Sequence, residues 1–486
     1  MQLMLLLLVP FLMAVLVFLS PLKEKKLKLT SFAFSLFPLL WLIVFGQKAL
    51  HSSLKVSWIP SLGLDFYLAI DSLSLVFLLL TAIVIPLSLL STPSGNKEMD
   101  SPFFFGLVLL LEGLLIGFFL ARDLLLFTLF FEAMLFPLFL IISLWGGGKK
   151  EEAAFQFILY MIAGSCLMIA AIVALYFASL AALGSGTFDM DKLAGIGSTL
   201  PHATWLFAIF LLAFAVKTPL FPFHGWLPAA YTEAPFAGSI LLAAILSKGG
   251  IYGLMRVGLE IFPKQLQEAS PVLLSLAIIG VLWGGLTAWA QSDFKRLIAY
   301  SSFSHVNFVL AGLFVFNPEA ISGSILQAFN HGITITGMFL AGGWLAERIG
   351  RTTIGLESGL AKYMPMLAWL TLFFALSSVA LPGTNNFVGE LIILYGLFLK
   401  SHGAAFILGL SIILSAMYML GWIQRSFFST PSLFKNGWLD IGKKELALAA
   451  PLIFVILLVG IYPSPMLKLT DEASKMVSSS RTMEKR

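Results

Sequence analysis

The sequence holds one cysteine, Cys166, in 486 residues. A single thiol excludes an internal disulfide, a thiolate metal site and an iron–sulfur cluster, so any electron transfer linked to this chain takes place in a partner. Charge is scarce as well: Asp, Glu, Lys and Arg make up 11% of the residues against 59% hydrophobic ones. That leaves too little polar surface to cover a water-soluble globule. P-loop, GxGxxG and HExxH patterns are missing, and no stretch has room for a soluble nucleotide-binding domain. The six histidines are too scattered to argue for a metal site, and no nucleic-acid partner is expected.

What the chain has in abundance is long apolar runs. A spanning helix needs about 20 mostly apolar residues to cross a hydrocarbon core of about 30 Å, and such runs recur about fourteen times here. The lipid bilayer is therefore the expected solvent, and the expected fold class is all-α and polytopic. Two runs are interrupted. One, near 203–223, is broken at TPLFP; the other, near 364–399, is too long and is broken at LPGTNN. They lie five spans apart, which divides the chain into residues 1–101 (spans one to three), 102–259 (a five-helix unit), 260–427 (a second copy) and 428–486 (a final span and a polar, frayed tail from Asp471). An odd number of helices per copy makes the second copy inverted, and paired Pro/Gly breaks in two halves point to a transport path near the midplane.

Loop cations set the orientation. Sixteen Lys and Arg, among them Lys25, Lys28, Lys97, Lys149, Lys295, Arg348 and Lys435, fall on one side, against seven on the other, including Lys48, Lys55, Arg122 and Arg256. By the positive-inside rule the richer side is cytoplasmic and both termini lie on the non-cytoplasmic side. The first apolar run ends in LKEKKLK, not in a small-residue cleavage site, so a signal peptide is not expected.

Against this background the ionisable groups inside spans stand out: Glu112, Glu132, Lys217, Lys248, His305, His331 and Glu390. A charge at mid-span costs about 2.5–3.5 kcal/mol and is kept where it faces protein or water. Pro219 and Pro222 should end the first half of a broken helix and free carbonyls that form a socket for the Lys217 ammonium at the negative dipole end. In the second break the order reverses: Pro382 and Gly383 come first, Asn385 or Asn386 is expected to cap the second half, and Glu390 is expected within its first turn at the positive end. Glu132 sits among phenylalanines in FFEAMLFP. Burial raises a carboxyl pKa and lowers an ammonium pKa while a nearby opposite charge resists both, so a Glu and a Lys of variable separation can exchange protons. Lys248 stands beside two glycines that permit close packing, and His305 and His331 are natural relay groups. The competing reading is a static Glu132–Lys217 ion pair that holds the bundle. Glu112 reads as a relay or as a local hydrogen-bonding group, and His224 as a packing partner of Trp226 or as a proton site.

The runs FFEAMLFPLFLIISLWGG, FILYMIAGS, AVKTPLFPFHGWLPAAYTEAP, ILSKGGIYGLMR, DFKRLIAYSSFSH and LQAFNHGI resemble the antiporter-like membrane subunits of respiratory complex I, the proton-translocating NADH:quinone oxidoreductase, over nearly the whole chain. The resemblance puts the family's proton-relay positions on Glu132, Lys217, Lys248, His305 and His331. The glutamate of FVGE, Glu390, and the C-terminal YMLGWIQRSFF and GKKELALAAPLIFVILLVGIYP resemble the M-type branch, the counterpart of mitochondrial subunit four. It implies fourteen helices with two inverted repeats, and proton translocation driven by redox chemistry elsewhere in the complex. It implies no cofactor in this chain, with NADH, FMN, iron–sulfur clusters and quinone in partner subunits. It also implies homologous antiporter-like chains as neighbours and a bacterial inner membrane or equivalent energy-converting membrane as location. A subunit of a multisubunit cation/proton antiporter or of a membrane-bound hydrogenase is the alternative.

Overall fold

The computed structural model describes residues 2–93, 99–430 and 438–479. Lys97 and Lys435, expected among the cytoplasmic cations, and the tail cations Arg481, Lys485 and Arg486 lie outside the described residues. The first helices are α1 (Gln2–Phe18), α2 (Glu24–Ser35) and α3 (Phe37–Ala49). The LKEKKLK cluster is partly helical: Lys28 belongs to α2 and donates to the Thr92 carbonyl at 2.5 Å.

A two-stranded antiparallel hairpin follows, β1 (Ser53–Ile59) and β2 (Leu64–Ala69), which the hydropathy reading did not anticipate. Its turn uses Gly63 at φ 62°, against the backbone of Gly186, where a side chain has no room. Then come α4 (Ser72–Leu90), α5 (Pro102–Leu120), α6 (Leu124–Ala133), α7 (Leu135–Trp145), α8 (Lys150–Leu183), the short α9 (Met190–Ala194), α10 (Ala203–Lys217) and α11 (Trp226–Glu233).

The next span is one helix with two π-helical stretches: α12 (Phe236–Leu241), a π turn at Leu242–Leu246, α13 (Ser247–Gly253) and a second π stretch at Leu254–Ile261. The remainder is α14 (Pro263–Trp289), α15 (Phe294–Phe314), α16 (Pro318–Ile349), α17 (Pro365–Ser378), α18 (Asn385–Phe398), α19 (His402–Ile423), α20 (Lys443–Ile461) and α21 (Ser464–Ser479).

Among the described residues, ten helical segments are long and apolar enough to cross a membrane. Burial separates centre from rim. Over its most apolar 18 residues Phe236–Ile261 is fully buried and Phe294–Phe314 94% buried, whereas Lys443–Ile461 and His402–Phe428 are each 28% buried there. The first two lie in the protein-lined core, and the other two turn apolar faces outward.

Local chemistry explains where the elements begin. Asp123 caps α6 by accepting from the Leu125 and Leu126 amides at 3.0 and 3.1 Å, and Asp293 caps α15 by accepting from Arg296 at 2.9 Å. Each aspartate also sits in an isolated antiparallel bridge to a later loop, Asp123 with Asp189 and Asp293 with Thr353. Asp71 and Ser74 form a reciprocal capping box at the start of α4.

Three expectations need correction. Of the frayed tail expected from Asp471, residues 471–479 instead complete the helix Ser464–Ser479, which buries Thr470, Ala473 and Ser474, while residues 480–486 lie outside the described residues; Ser474 donates to the Pro318 carbonyl at 2.8 Å, and Ser322 bonds Asp471 at 2.5 Å. Its polar residues had read as solvated, but they satisfy the N-terminal end of α16. Arg256 is not a loop cation: it lies in the second π stretch, 2% exposed, because Asp71 and Glu260 neutralise it there. Lys295 is likewise buried in α15, bonded to the Ala234 carbonyl and lying 4.5 Å from the Phe236 ring centroid.

Candidate functional site

The first break has a definite construction. α10 stops at Lys217, and the Leu220 amide returns to the Ala215 carbonyl at 2.8 Å. The carbonyls freed there are taken up by other groups: Trp226 Nε1 donates to the Val216 carbonyl at 3.0 Å, and Asn307 Nδ2 of α15 donates to the Pro219 carbonyl at 3.2 Å. Among the described residues no carbonyl bonds the Lys217 ammonium, so the expected carbonyl socket is not formed. Its Nζ reaches Glu132 Oε1 at 3.1 Å and Ser165 Oγ at 3.0 Å, with the Phe131 ring centroid 4.4 Å away.

Ser165 also bonds Glu132 Oε2, so the carboxylate and the ammonium share a hydroxyl. A Cβ added at Gly164 would lie 3.2 Å from the Ala213 carbonyl oxygen and 3.5 Å from the Lys217 stem, so the glycine packs close against this end of α10. The lysine side chain is 1% exposed and the glutamate 27%. The pair thus runs from the core towards the edge of the chain.

Lys248 comes next. It is fully buried as the second residue of α13, just past the first π turn, where its Nζ donates to the Ala243 carbonyl at 2.6 Å and lies 3.4 Å from Ser247 Oγ. The close packing expected of its two glycines is present: Gly249 lies against Phe131, and Gly250 so near the Thr218 backbone that a Cβ would fall 2.8 Å from its nitrogen. Phe131 thereby contacts both the Lys217 ammonium and the turn that carries Lys248.

On the other side of Lys248, Gly332 of α16 packs against the Leu242–Leu246 turn, 3.1 Å from the Ala244 carbonyl for an added Cβ. The neighbouring His331 meets Ser302 Oγ through Nε2 at 3.0 Å and stacks on His305, with centroids 5.3 Å apart. His305 Nδ1 lies 3.2 Å from Glu390 Oε1, which also accepts from Gln327 Nε2 at 3.2 Å.

Glu390 is the sixth residue of α18 and lies beyond its first turn. Its charge is matched by these side chains and not by helix-end amides. Neither asparagine is a cap: Asn385 exchanges bonds with Asn330, Thr334 and Ser377, and Asn386 donates to the Ser377 carbonyl at 3.0 Å. These side chains cross-link the break to α16 and α17. The second break closes as the first does, with the Leu381 amide on the Leu376 carbonyl at 3.0 Å.

All six expected residues, Glu132, Lys217, Lys248, His305, His331 and Glu390, thus fall along one buried line. Glu112 is apart from it, fully buried in α5 with neither carboxyl oxygen partnered among the described residues. His224 stacks on Phe303 with centroids 4.2 Å apart, at the base of a cleft of about 310 Å³ lined by Lys149, Glu152, Gln156, Glu233 and Arg296. The sequence reading missed Ser165, Ser302, Gln327 and Asn307. Each is a polar residue inside an apolar span, and that is the signal that would have found them.

A second polar cluster ties the hairpin to the bundle. Asp71 meets Arg256 at 2.7 Å and Arg122 at 3.8 Å; Glu260 meets the same two arginines at 2.6 and 3.0 Å. Arg122 also pairs with Asp191, which accepts from the Tyr67 hydroxyl at 2.6 Å. Burial and Asp191 push that phenol up to about 12. Burial would raise the Asp71 carboxyl, but Arg256 and Arg122 outweigh it and hold the group well below its ordinary range.

Comparison with known proteins bears on this arrangement. Residues 121–417 match the family described as NADH:quinone oxidoreductase/Mrp antiporter, transmembrane. The NADH-quinone oxidoreductase subunit M of Pseudomonas aeruginosa is 38% identical over 432 residues, 87% of this chain and 84% of that one. Among solved structures, a chain of respiratory complex I from Thermus thermophilus with bound NADH superposes with a TM-score of 0.89 at 32% identity, covering 99% of each chain. A chain of the Mrp complex from Dietzia superposes with a TM-score of 0.88 at 22% identity, which is a likeness of fold.

Proposed function

The chain belongs to the NADH:quinone oxidoreductase/Mrp antiporter transmembrane family, and from that premise we propose that it moves protons along the buried line from Glu132 to Glu390. It is a multi-pass, proton-translocating membrane subunit of an NADH-quinone oxidoreductase, of the subunit M type. The enzyme is the whole complex. This chain's share is translocation without redox chemistry; NADH, FMN, iron–sulfur clusters and quinone are assigned to partner subunits.

The observation that carries the reading is the Glu132–Ser165–Lys217 contact at a helix break, joined through the Lys248 turn to His331, His305 and Glu390. When Lys217 gives a proton to Glu132, an ion pair becomes a neutral amine and a neutral acid. In a low-dielectric site the balance between those two states depends steeply on separation, so a small movement at the break makes the lysine take or release a proton. Glu132 lies at the chain's edge, where lipid is a poor neighbour for a carboxylate. A second membrane subunit covering that edge fits the geometry, and a homologous antiporter-like chain is the proposed one.

The ten apolar spans, the shorter α1, the polar α16 and the two broken helices together read as fourteen crossings. Matching closure of the two breaks and the paired Asp123–Asp189 and Asp293–Thr353 bridges support two inverted five-helix repeats, 102–259 and 260–427. Both termini are assigned to the non-cytoplasmic side of the energy-converting membrane. A multisubunit antiporter is the second reading; its solved example shares the fold at lower identity.

The test is Glu132→Gln in the assembled complex. It keeps shape and hydrogen bonding and removes titration. NADH-driven proton uptake by inverted vesicles should fall by about tenfold or more, and an unchanged rate would refute the path.

A further inference from the structure

Glu132 serves Lys217 only at hydrogen-bond range, and part of what sets that range lies outside the path. Glu132 is the ninth residue of α6, a ten-residue helix that gives way to α7 at Met134. Its place therefore depends on how the head of α6 is held, about 13 Å away along the axis. The Leu124 amide donates to the Phe188 carbonyl at 2.8 Å, and Asp123 Oδ1 accepts from the Leu125 and Leu126 amides at 3.0 and 3.1 Å. Asp123 Oδ2 accepts from the Asp65 amide of β2 at 3.3 Å, so one fully buried carboxylate joins α6 to the hairpin. The backbone on either side is stitched to the same elements: the Arg122 amide donates to the Tyr67 carbonyl, and the Met190 amide to the Arg122 carbonyl, both at 2.9 Å.

We propose that Asp123 is a positioning residue for proton transfer: its ionised carboxylate clamps the head of α6 to the hairpin and so holds Glu132 within reach of Lys217 and Ser165. The inference rests on the translocation reading above. The charges around Asp123 are engaged elsewhere. Lys55 of β1 pairs with Asp65, at 3.2 Å, and with Asp189; Arg122 pairs with Asp71, Asp191 and Glu260, and the Tyr67 hydroxyl is on Asp191. Burial pushes the Asp123 carboxyl up to about 6, against the pull of the Leu126, Asp65 and Leu125 amides. Bonds that favour the ionised form weaken when it takes a proton. A proton on Oδ2 turns an acceptor into a hydroxyl facing the Asp65 amide, while Oδ1 still caps α6. Acid on this side of the membrane, the non-cytoplasmic side in the proposed orientation, thus opens the clamp at the hairpin.

Asp123→Asn imitates the protonated acid. It caps a helix as well as aspartate does, but its NH2 cannot accept from the Asp65 amide. In inverted vesicles the non-cytoplasmic face is the lumen, whose pH the trapped buffer sets. With a neutral lumen, NADH-driven proton uptake per assembled complex should fall by about fivefold in Asp123→Asn, since a misplacement of about 1 Å is worth up to about a hundredfold in rate. On taking the lumen to about pH 5, uptake should fall further in the wild type than in the variant, because only the wild type has a carboxyl to titrate; the pH difference itself opposes both alike. Wild-type uptake in Asp123→Asn, equal acid losses in the two, or less assembled complex with unchanged uptake per complex would make Asp123 a stabilising cap only and overturn the proposal. If the variant does not assemble, hydrogen–deuterium exchange on the wild-type complex decides. Corrected for intrinsic rates, the Asp65 amide should lose about tenfold in protection between about pH 7 and pH 5, and constant protection would overturn the clamp. Glu132→Gln run alongside separates the two levels: normal pumping in that variant brings down the path itself, while a dead Glu132→Gln with a normal Asp123→Asn brings down Asp123 alone.

Discussion

At the scale of single residues, Lys217 is held by a carboxylate and a hydroxyl, so both its charge and its ability to lose a proton are open to test. Lys217→Arg keeps the charge and the reach to Glu132 but offers a guanidinium that stays protonated at any accessible pH. Coupled proton uptake should drop by about tenfold or more with assembly intact; wild-type coupling would make the position a fixed charge and revive the static ion pair. Asp71 makes a different case. Asp71→Asn preserves the cap at α4 but leaves Arg256 short of one buried partner, a loss of about 3 kcal/mol. Because the folded Asp71 carboxyl lies below its ordinary 3.8, its contribution is fully present above that pH and fades only in stronger acid. The thermal midpoint of the purified complex should therefore fall by the same amount at pH 6 and pH 8 in this variant.

The elements that matter are those that depart from regular helix. The first break is latched from outside by Asn307, whose side chain serves the Pro219 carbonyl at 3.2 Å and the Phe221 amide at 3.4 Å, while the second is latched by Asn385 and Asn386 from within. Asn307→Ala leaves two backbone groups of the break without that partner, at a cost of about 1–3 kcal/mol. Amide hydrogens from Leu220 to Trp226 should exchange faster by about tenfold or more, with the remaining spans unchanged, in hydrogen–deuterium exchange on the complex. Proton uptake should slow but persist, since every titratable group of the path is still present. Unchanged exchange in that segment would show that the Trp226–Val216 bond alone holds the break.

Among the described residues, two assemblies of buried polar groups stand out, the line from Glu132 to Glu390 and the cluster of Asp71, Arg122, Arg256 and Glu260 that anchors the hairpin. The proposed role gives this chain the proton path and leaves the redox centres to partner subunits. Complex purified from cells lacking this chain should then still oxidise NADH and reduce quinone while proton uptake per NADH falls. Loss of quinone reduction in a preparation that retains the other subunits would assign this chain a place in the electron-transfer reaction.

Composition and spacing alone carried much of this protein: the membrane as solvent, the broken helices, and six titratable residues that the fold brings into one line, because a charge or a proline inside an apolar run is expensive and so is informative wherever it occurs. Tertiary structure decided who pairs with whom. Lys217 faces Glu132 instead of freed carbonyls, and Glu390 faces His305 instead of a helix end, because side-chain partners from distant spans compete with local backbone and win once packing brings them within reach. The hairpin, the docked C-terminal helix and the burial of Arg256 were invisible for the same reason: their polar residues look solvated one by one, and only contacts remote in sequence, such as Arg256 with Asp71 or Ser474 with the Pro318 carbonyl, remove them from water.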